Sequence, residues 1–442
     1  MIVPEEYRQY LLAQKNDAEV FFRSGESFEV GLKDGEIETY EAASAAGISL
    51  RVRAERMGYA ATENVETPPD GLYESALENA SITELDEEAP LYTRETGAAD
   101  FLDEGFLAET AQQKIALAKE LNALTLKRDG RITRLKSCVV ASGMQSIGIF
   151  NTKGLDVFQR SGYAIAYVSA VARQNGETKD GSALRAAKSC GLLDLAGLAA
   201  EAAEEALCQF GAAPLPSGKY DVIIRRDAMA SLLGAFRSVF SSEAAQRGLS
   251  LLSGKEGEKL FASCISITDA PRHAQSVMQT AYDAEGVPCR ETKLVNEGRL
   301  NTLLYNLRTA AKAGKETTGN AGKGGLASSI SVQPNNFFLE PGERDFPAMC
   351  AALGTGLVVT DFSGLHAGVN AITGDFSLQC RGFLYKGGAP QRPVNQVVLS
   401  GNYFFLLGGV ECCGADLFFS LPGGSCVGAP SVLVRDLAVS GT

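Results

Sequence analysis

The sequence predicts an α+β protein of two domains. The first is an N-terminal domain of hairpins and helices; the second is a strand-rich C-terminal domain with the glycine turns of a closed or rolled β structure. Three observations carry this expectation. A chain of 442 residues exceeds what one ordinary core holds. The run Pro214-Leu215-Pro216-Ser217-Gly218 separates a helical stretch from a buried strand and sets domains at 1–213 and 218–442. Long alternating strands and amphipathic helices precede that run, whereas short apolar runs punctuated by glycine follow it.

Taken in order, residues 5 to 15 read as a first helix. The stretch 28–62 alternates in strand fashion around Asp34-Gly35, a hairpin turn signal. Helical periodicity returns at 70–80 and 109–126. Residues 131–173 are strand-rich, with a turn at Asn151-Thr152-Lys153-Gly154. Leu192 to Gln209 is an alanine-rich amphipathic helix. Past the boundary, Tyr220-Asp221-Val222-Ile223-Ile224 is a buried strand, and Asp227 is placed to N-cap a helix running through Ser231 to Phe240. From about 260 onward the pattern is short strands, among them Leu357-Val358-Val359-Thr360 in the glycine-dense block Gly354–Ser377.

Composition excludes several classes. Net charge is −12, and residues 61–120 hold fifteen acidic residues against Arg94, Lys114 and Lys119. The remainder is balanced, so no long basic surface for a phosphate backbone is expected, and the acidic window reads as a solvated helical face. Met1 to Arg8 has neither the basic start nor the apolar run of a signal peptide. No stretch approaches the ~20 apolar residues that cross a bilayer, so the expected location is the cytoplasm. Ten cysteines occur without a C-x-x-C pair. Most sit among apolar neighbours as small buried hydrophobes, and only Cys412-Cys413 and Cys426 lie near one another in sequence.

General catalytic motifs fail on inspection. Gly314 to Gly319 has P-loop spacing, but Asn320 stands where lysine is required; Gly248 to Lys255 has one residue too many. A triad of Ser363, His366 and Asp361 or Asp375 lacks the G-x-S-x-G elbow. Asp283, Glu285, Asp361 and Asp375 lie near turns, where carboxylates commonly cap backbone N–H groups.

Five landmarks follow one another in the C-terminal half. They are Tyr282-Asp283-Ala284-Glu285-Gly286-Val287-Pro288, Asn296-Glu297-Gly298-Arg299-Leu300, Thr317-Thr318-Gly319-Asn320-Ala321-Gly322, the Gly354–Ser377 block and Leu399-Ser400-Gly401-Asn402. Together they resemble the TldD/PmbA family, and the resemblance extends over nearly the whole chain. Some members of that family have been named modulators of gyrase; its protease is built from two related subunits. The catalytic subunit holds zinc through a helical H-E-x-x-x-H motif and a later cysteine. Two imidazoles and a thiolate leave one position open for an activated water, and the glutamate moves the proton.

At the matching place this chain reads Ser242-Glu243-Ala244-Ala245-Gln246-Arg247. The glutamate is kept, but serine is a poor zinc ligand and a guanidinium repels a dication. His273, expected in an exposed turn, and His366 are the only histidines, and they are too far apart in sequence to replace the helical pair. Cys426, in Gly423-Gly424-Ser425-Cys426, is the nearest match to the ligand cysteine. The resemblance therefore implies the family's other subunit type, PmbA or TldE, which lacks the ligand set. It implies no metal in this chain, zinc only in a TldD-type catalytic partner, and a hetero-oligomer with that partner or a homodimer in isolation. A peptide is the implied substrate. Asp283, Gly286, Asn320, His366 and Asp375 are the implied contacts to substrate or partner. Two rivals stay open: a peptidase active alone through Glu243, His366 or Cys426, and a module that captures extended peptide on sheet edges without a protease partner.

Overall fold

The computed structural model describes residues 3–82, 90–93, 95–421 and 423–442. Arg94 and the acidic residues Glu84, Asp86, Glu87 and Glu88 of the window read as a helical face lie outside the described residues. The N-terminal half is one seven-stranded sheet. Its strands are β1 (Asp17–Lys33), β2 (Glu36–Arg53), β3 (Met57–Thr62), β4 (Thr96–Asp100), β5 (Ile132–Asn151), β6 (Asp156–Gln174) and β7 (Glu177–Ala187). The order is β3-β2-β1-β5-β6-β4, with β7 also pairing β6.

Asp34 and Gly35 both take positive φ, 52° and 84°, at the tip of the β1–β2 hairpin. A two-residue turn of that hand matches the right-handed twist of its strands. The strand pattern begins at Asp17 rather than at residue 28. In β6 buried and half-exposed positions alternate, so one face packs on helices. Those helices are Ala111–Leu126, started by a Thr110/Gln113 capping box, and Leu195–Leu207, capped by Asp194. Leu121, Leu198, Ala199 and Ala202 close that core against Val140 and Val168.

The C-terminal strands are β8 (Gly218–Ile224), β9 (Ile267–Asp269), β10 (Thr292–Asn296), β11 (Arg299–Leu300), β12 (Ala321–Gly322), β13 (Ser331–Val332), β14 (Asn336–Leu339), β15 (Gly356–Ser363), β16 (Asp375–Lys386), β17 (Ala389–Asn402), β18 (Val410–Cys413), β19 (Phe418–Phe419), β20 (Cys426–Ala429) and β21 (Val432–Ser440). The order β17-β16-β15-β8-β21 closes through β17–β21 pairing into a five-stranded barrel, with β18 on the outer edge of β21. The expected closed β domain is present. A second sheet runs β11-β10-β9-β14-β20-β19.

The helix Arg226–Ala235 bridges the two sheets. Met229, Leu232 and Leu233 share one core with Ile224 and Val359 of the barrel and with Phe337 and Val427 of the second sheet. Asp227 is not its N-cap. The N-cap position is held by Arg225, two residues earlier, and the Asp227 carboxylate accepts two bonds from Arg225, at 2.8 and 2.6 Å. Among the described residues no helix is long and apolar enough to cross a membrane.

Candidate functional site

The Glu243 segment is a single helical turn, Ser242–Gln246, whose cap is the Ser241 side chain. Ser242 is buried; its hydroxyl donates to Thr309 Oγ1 at 2.8 Å and its N–H to the Leu304 carbonyl at 3.0 Å. Thr309 Oγ1 in turn donates to Asn306 Oδ1 at 2.8 Å, inside the capping box of the helix Leu307–Ala313. The hydroxyl at the first ligand position is thus committed to holding two helices together. Glu243 Oε1 lies 2.9 Å from Arg308 Nη2 and 3.8 Å from Arg247 Nη1, and Oε2 accepts from Val332 N at 3.4 Å. Arg247 itself is 70% exposed.

These residues do not fit zinc. One donor is a hydroxyl bonded elsewhere, and the carboxylate between the two positions faces two guanidinium cations. Among the described residues no group of three or more His, Cys, Asp and Glu is arranged to hold a metal ion.

His366 and Cys426 lie in a different neighbourhood. His366 is exposed and lines a groove of about 560 Å³ together with Arg237, Leu365, Ser425 and Val427. Side chains alternate along β20, so Cys426, between Ser425 and Val427, turns to the opposite side. There its buried sulfur lies 3.9 Å from the Ser420 carbonyl, and burial pushes its thiol up from the ordinary value. The carboxylates of the imagined triad are engaged elsewhere. Asp361 faces Arg381 at 3.2 Å, and Asp375 accepts from Asn402 Nδ2 at 2.9 Å, which holds its carboxyl below the usual range. His273 does not lie free in a turn: its ring sits against Phe338 and Phe419, with centroids 4.8 and 4.9 Å away.

Asp283, Gly286 and Asn320 are buried, and the turn that Asp283 caps carries Gly286 to the seam between the two halves. Asp283 is buried and accepts three backbone N–H groups, from Glu285 at 2.8 Å, Val287 at 3.0 Å and Ala321 at 2.9 Å. This is the turn-capping role expected of such carboxylates. Burial, and then the neighbouring Glu285 charge, push its carboxyl upward. Gly286 holds φ at +75°, and a Cβ there would lie 2.5 Å from Leu155 of the N-terminal half. Asn320 Nδ2 donates to Asp269 Oδ2 at 2.7 Å and to the Gln333 carbonyl at 3.1 Å. Burial pushes the Asp269 carboxyl up to about 6.

Across the seam, Glu285 Oε1 is 3.5 Å from Arg51 Nη1, and Arg51 Nε donates to Glu19 Oε1 at 2.7 Å. All three side chains are at most 5% exposed. Gln159 of β6 adds bonds to Ala281 N, Tyr282 N and the Tyr282 carbonyl. Glu19 and Arg51 escaped the reading of the sequence. Their signal was there, in a carboxylate and a guanidinium set within the apolar runs Ala18–Phe22 and Ile48–Val52, which register pairs across β1 and β2.

Family models match three successive stretches: the PmbA/TldA metallopeptidase domain 1 at residues 18–81, the central domain at 104–210 and the C-terminal domain at 217–441. The chain belongs to the PmbA/TldD metallopeptidase family. Domain 1 and the central domain are joined here in the one seven-stranded sheet. A protein named metalloprotease from Methanothermobacter thermautotrophicus is 28% identical, the match covering 93% of this chain and 92% of that one. Metalloprotease PmbA of Escherichia coli O157:H7 is 26% identical over 98% and 94%. Among solved structures, a putative modulator of a DNA gyrase from Thermotoga maritima superposes with a TM-score of 0.89 at 30% identity, covering 99% of this chain and all of that one. TldE from Thermococcus kodakarensis shares the fold, with a TM-score of 0.88 at 22% identity, over 96% and 97%.

Proposed function

We propose that this chain is the non-catalytic, zinc-less subunit of a PmbA/TldD-type metalloprotease complex that degrades or processes small or unfolded peptides in the cytoplasm. Its partner is a TldD-type catalytic subunit that carries the zinc; in isolation the chain pairs with itself. One observation carries the reading. Glu243 keeps the place of a metallopeptidase glutamate, yet Ser242 and Arg247 flank it, with the hydroxyl bonded to Thr309 and two guanidinium groups facing the carboxylate. Among the described residues no ligand set lies around such a glutamate to hold a hydroxide-generating metal.

The contribution in this reading is to hold peptide. The groove beside His366 offers a half-polar wall. No described strand pairs the outer edge of β2 before Ile48, which leaves a row of backbone groups able to add an extended strand. The test is elemental analysis and a peptide-cleavage assay on the purified chain, alone and mixed with a zinc-bearing relative. The expected result is less than one tenth of a zinc per chain and cleavage only in the mixture. About one zinc per chain, with cleavage by the chain alone that Glu243→Gln abolishes, would overturn it.

A further inference from the structure

Cys264 joins Cys412 and Cys413 where the turn entering β9 meets β18, and Cys426 is not among their contacts. Cys264 is exposed, Cys412 half-buried and Cys413 buried. The Cys264 thiol points at the Val410 carbonyl at 3.4 Å, and the Cys413 thiol at the Cys264 carbonyl at 3.6 Å. The Cys413 side chain therefore lies directly against Cys264. Cys412, next along the strand, points to the other face, where Arg344 Nη1 lies 3.6 Å from its sulfur.

We propose that Cys264 is an oxidant-reactive thiol and Cys413 its resolving partner, so that a hydroperoxide converts the pair into a disulfide. The adjacent Cys413 side chain holds the Cys264 thiol down to about 7, and the same proximity pushes the Cys413 thiol up. The accessible sulfur is therefore the one with thiolate character, the condition for peroxide attack.

In the first step the Cys264 thiolate attacks one peroxide oxygen and the O–O bond breaks. Sulfur is oxidised by two electrons to a sulfenic acid, and the other oxygen leaves as water or alcohol after taking a proton. In the second, the Cys413 sulfur attacks the sulfenyl sulfur. The S–S bond forms, the S–O bond breaks, and the departing hydroxide takes the Cys413 proton to leave as water. The cross-link fastens β18, on the outside of the barrel, to the turn three residues before β9 of the second sheet. It involves neither Glu243 nor His366 and holds whether or not the chain serves a protease.

The experiment treats the folded full-length chain with hydrogen peroxide, blocks free thiols and maps the peptides without reduction. The expected product is a Cys264–Cys413 cross-link that dithiothreitol reverses and that survives Cys412→Ser. In Cys413→Ser the cross-link disappears and dimedone captures a sulfenic acid at Cys264. Before any oxidation, alkylation of Cys264 at pH 7 is about tenfold faster in the wild type than in Cys413→Ala, which lacks the side-chain donor that favours the thiolate. Peroxide that leaves Cys264 unmodified while other cysteines oxidise, or that yields a Cys412–Cys413 pair instead, overturns the assignment; both outcomes are read on the wild-type chain and need no variant to fold.

Discussion

At the scale of single residues, the chemistry of the Glu243 turn follows from what its neighbours are bonded to. Replacing Ser242 and Arg247 together by histidine recreates two imidazoles around the glutamate. It leaves Arg308 at 2.9 Å from the carboxylate and Cys426 facing away from the His366 groove. A zinc site needs a third ligand and groups that orient the imidazoles. The double variant is therefore expected to bind zinc weakly and to cleave no peptide, as zinc titration and a cleavage assay would show; robust proteolysis would mean that two side chains alone separate this chain from a zinc-bearing relative. Gly286 yields a stability prediction. With φ at +75° and Leu155 2.5 Å from any added Cβ, Gly286→Ala strains both the turn and the seam. The expected loss is about 1–3 kcal/mol, read from the urea midpoint.

Among elements, the seam shows how charge can lie inside a protein. β1 and β2 place Glu19 opposite Arg51, and the turn after Tyr282 brings Glu285 to the same guanidinium. Removing the cation takes from two buried carboxylates the guanidinium they share. Arg51→Met is expected to cost about 3–5 kcal/mol, a loss that shrinks when Glu285→Gln is added. A chemical-denaturation double-mutant cycle checks this, and additive losses would mean the two side chains do not interact. The helices are legible because their start signals are local. The stretches 109–126 and 192–209 read as helical form helices at Ala111–Leu126 and Leu195–Leu207, which the structure starts with Thr110 and Gln113 and with Asp194. Asp227 misled because an aspartate near a helix start caps it only from one position; two residues past that position, it bonds Arg225 instead.

Across the whole molecule, burial of carboxylates without full compensation gives stability a pH dependence. The Asp269 carboxyl, buried against Asn320 and Asn335, is raised to about 6 from an ordinary 3.8. Between those values the folded chain keeps a proton that the unfolded chain has released, so stability falls as pH rises from about 4 to about 6. The contribution is at most about 3 kcal/mol for a displacement of this size. Asp269→Asn is expected to lower stability at every pH, because its amide cannot accept all the bonds the carboxylate accepts. Its profile between pH 4 and 6 should nevertheless be flatter than the wild type's. Thermal denaturation across that range is the measurement; parallel profiles would count against Asp269 as the titrating group.

From the sequence alone came the α+β class, the long hairpins and the resemblance to the family, because each rests on short-range signals: period, turn residues and ordered glycine landmarks. The substitutions Ser242 and Arg247 were also readable there, since a ligand's chemistry is a property of its type. What each side chain touches was not. Only the folded chain put Cys264 beside Cys413, 149 residues away, turned Cys426 from the His366 groove, buried Asp283 and Asn320 among bonds within the C-terminal half, and set Gly286 against Leu155 at the seam. Such contacts depend on strand closure and on which face of a strand points inward. Both are set by packing among distant segments, and no local pattern encodes that.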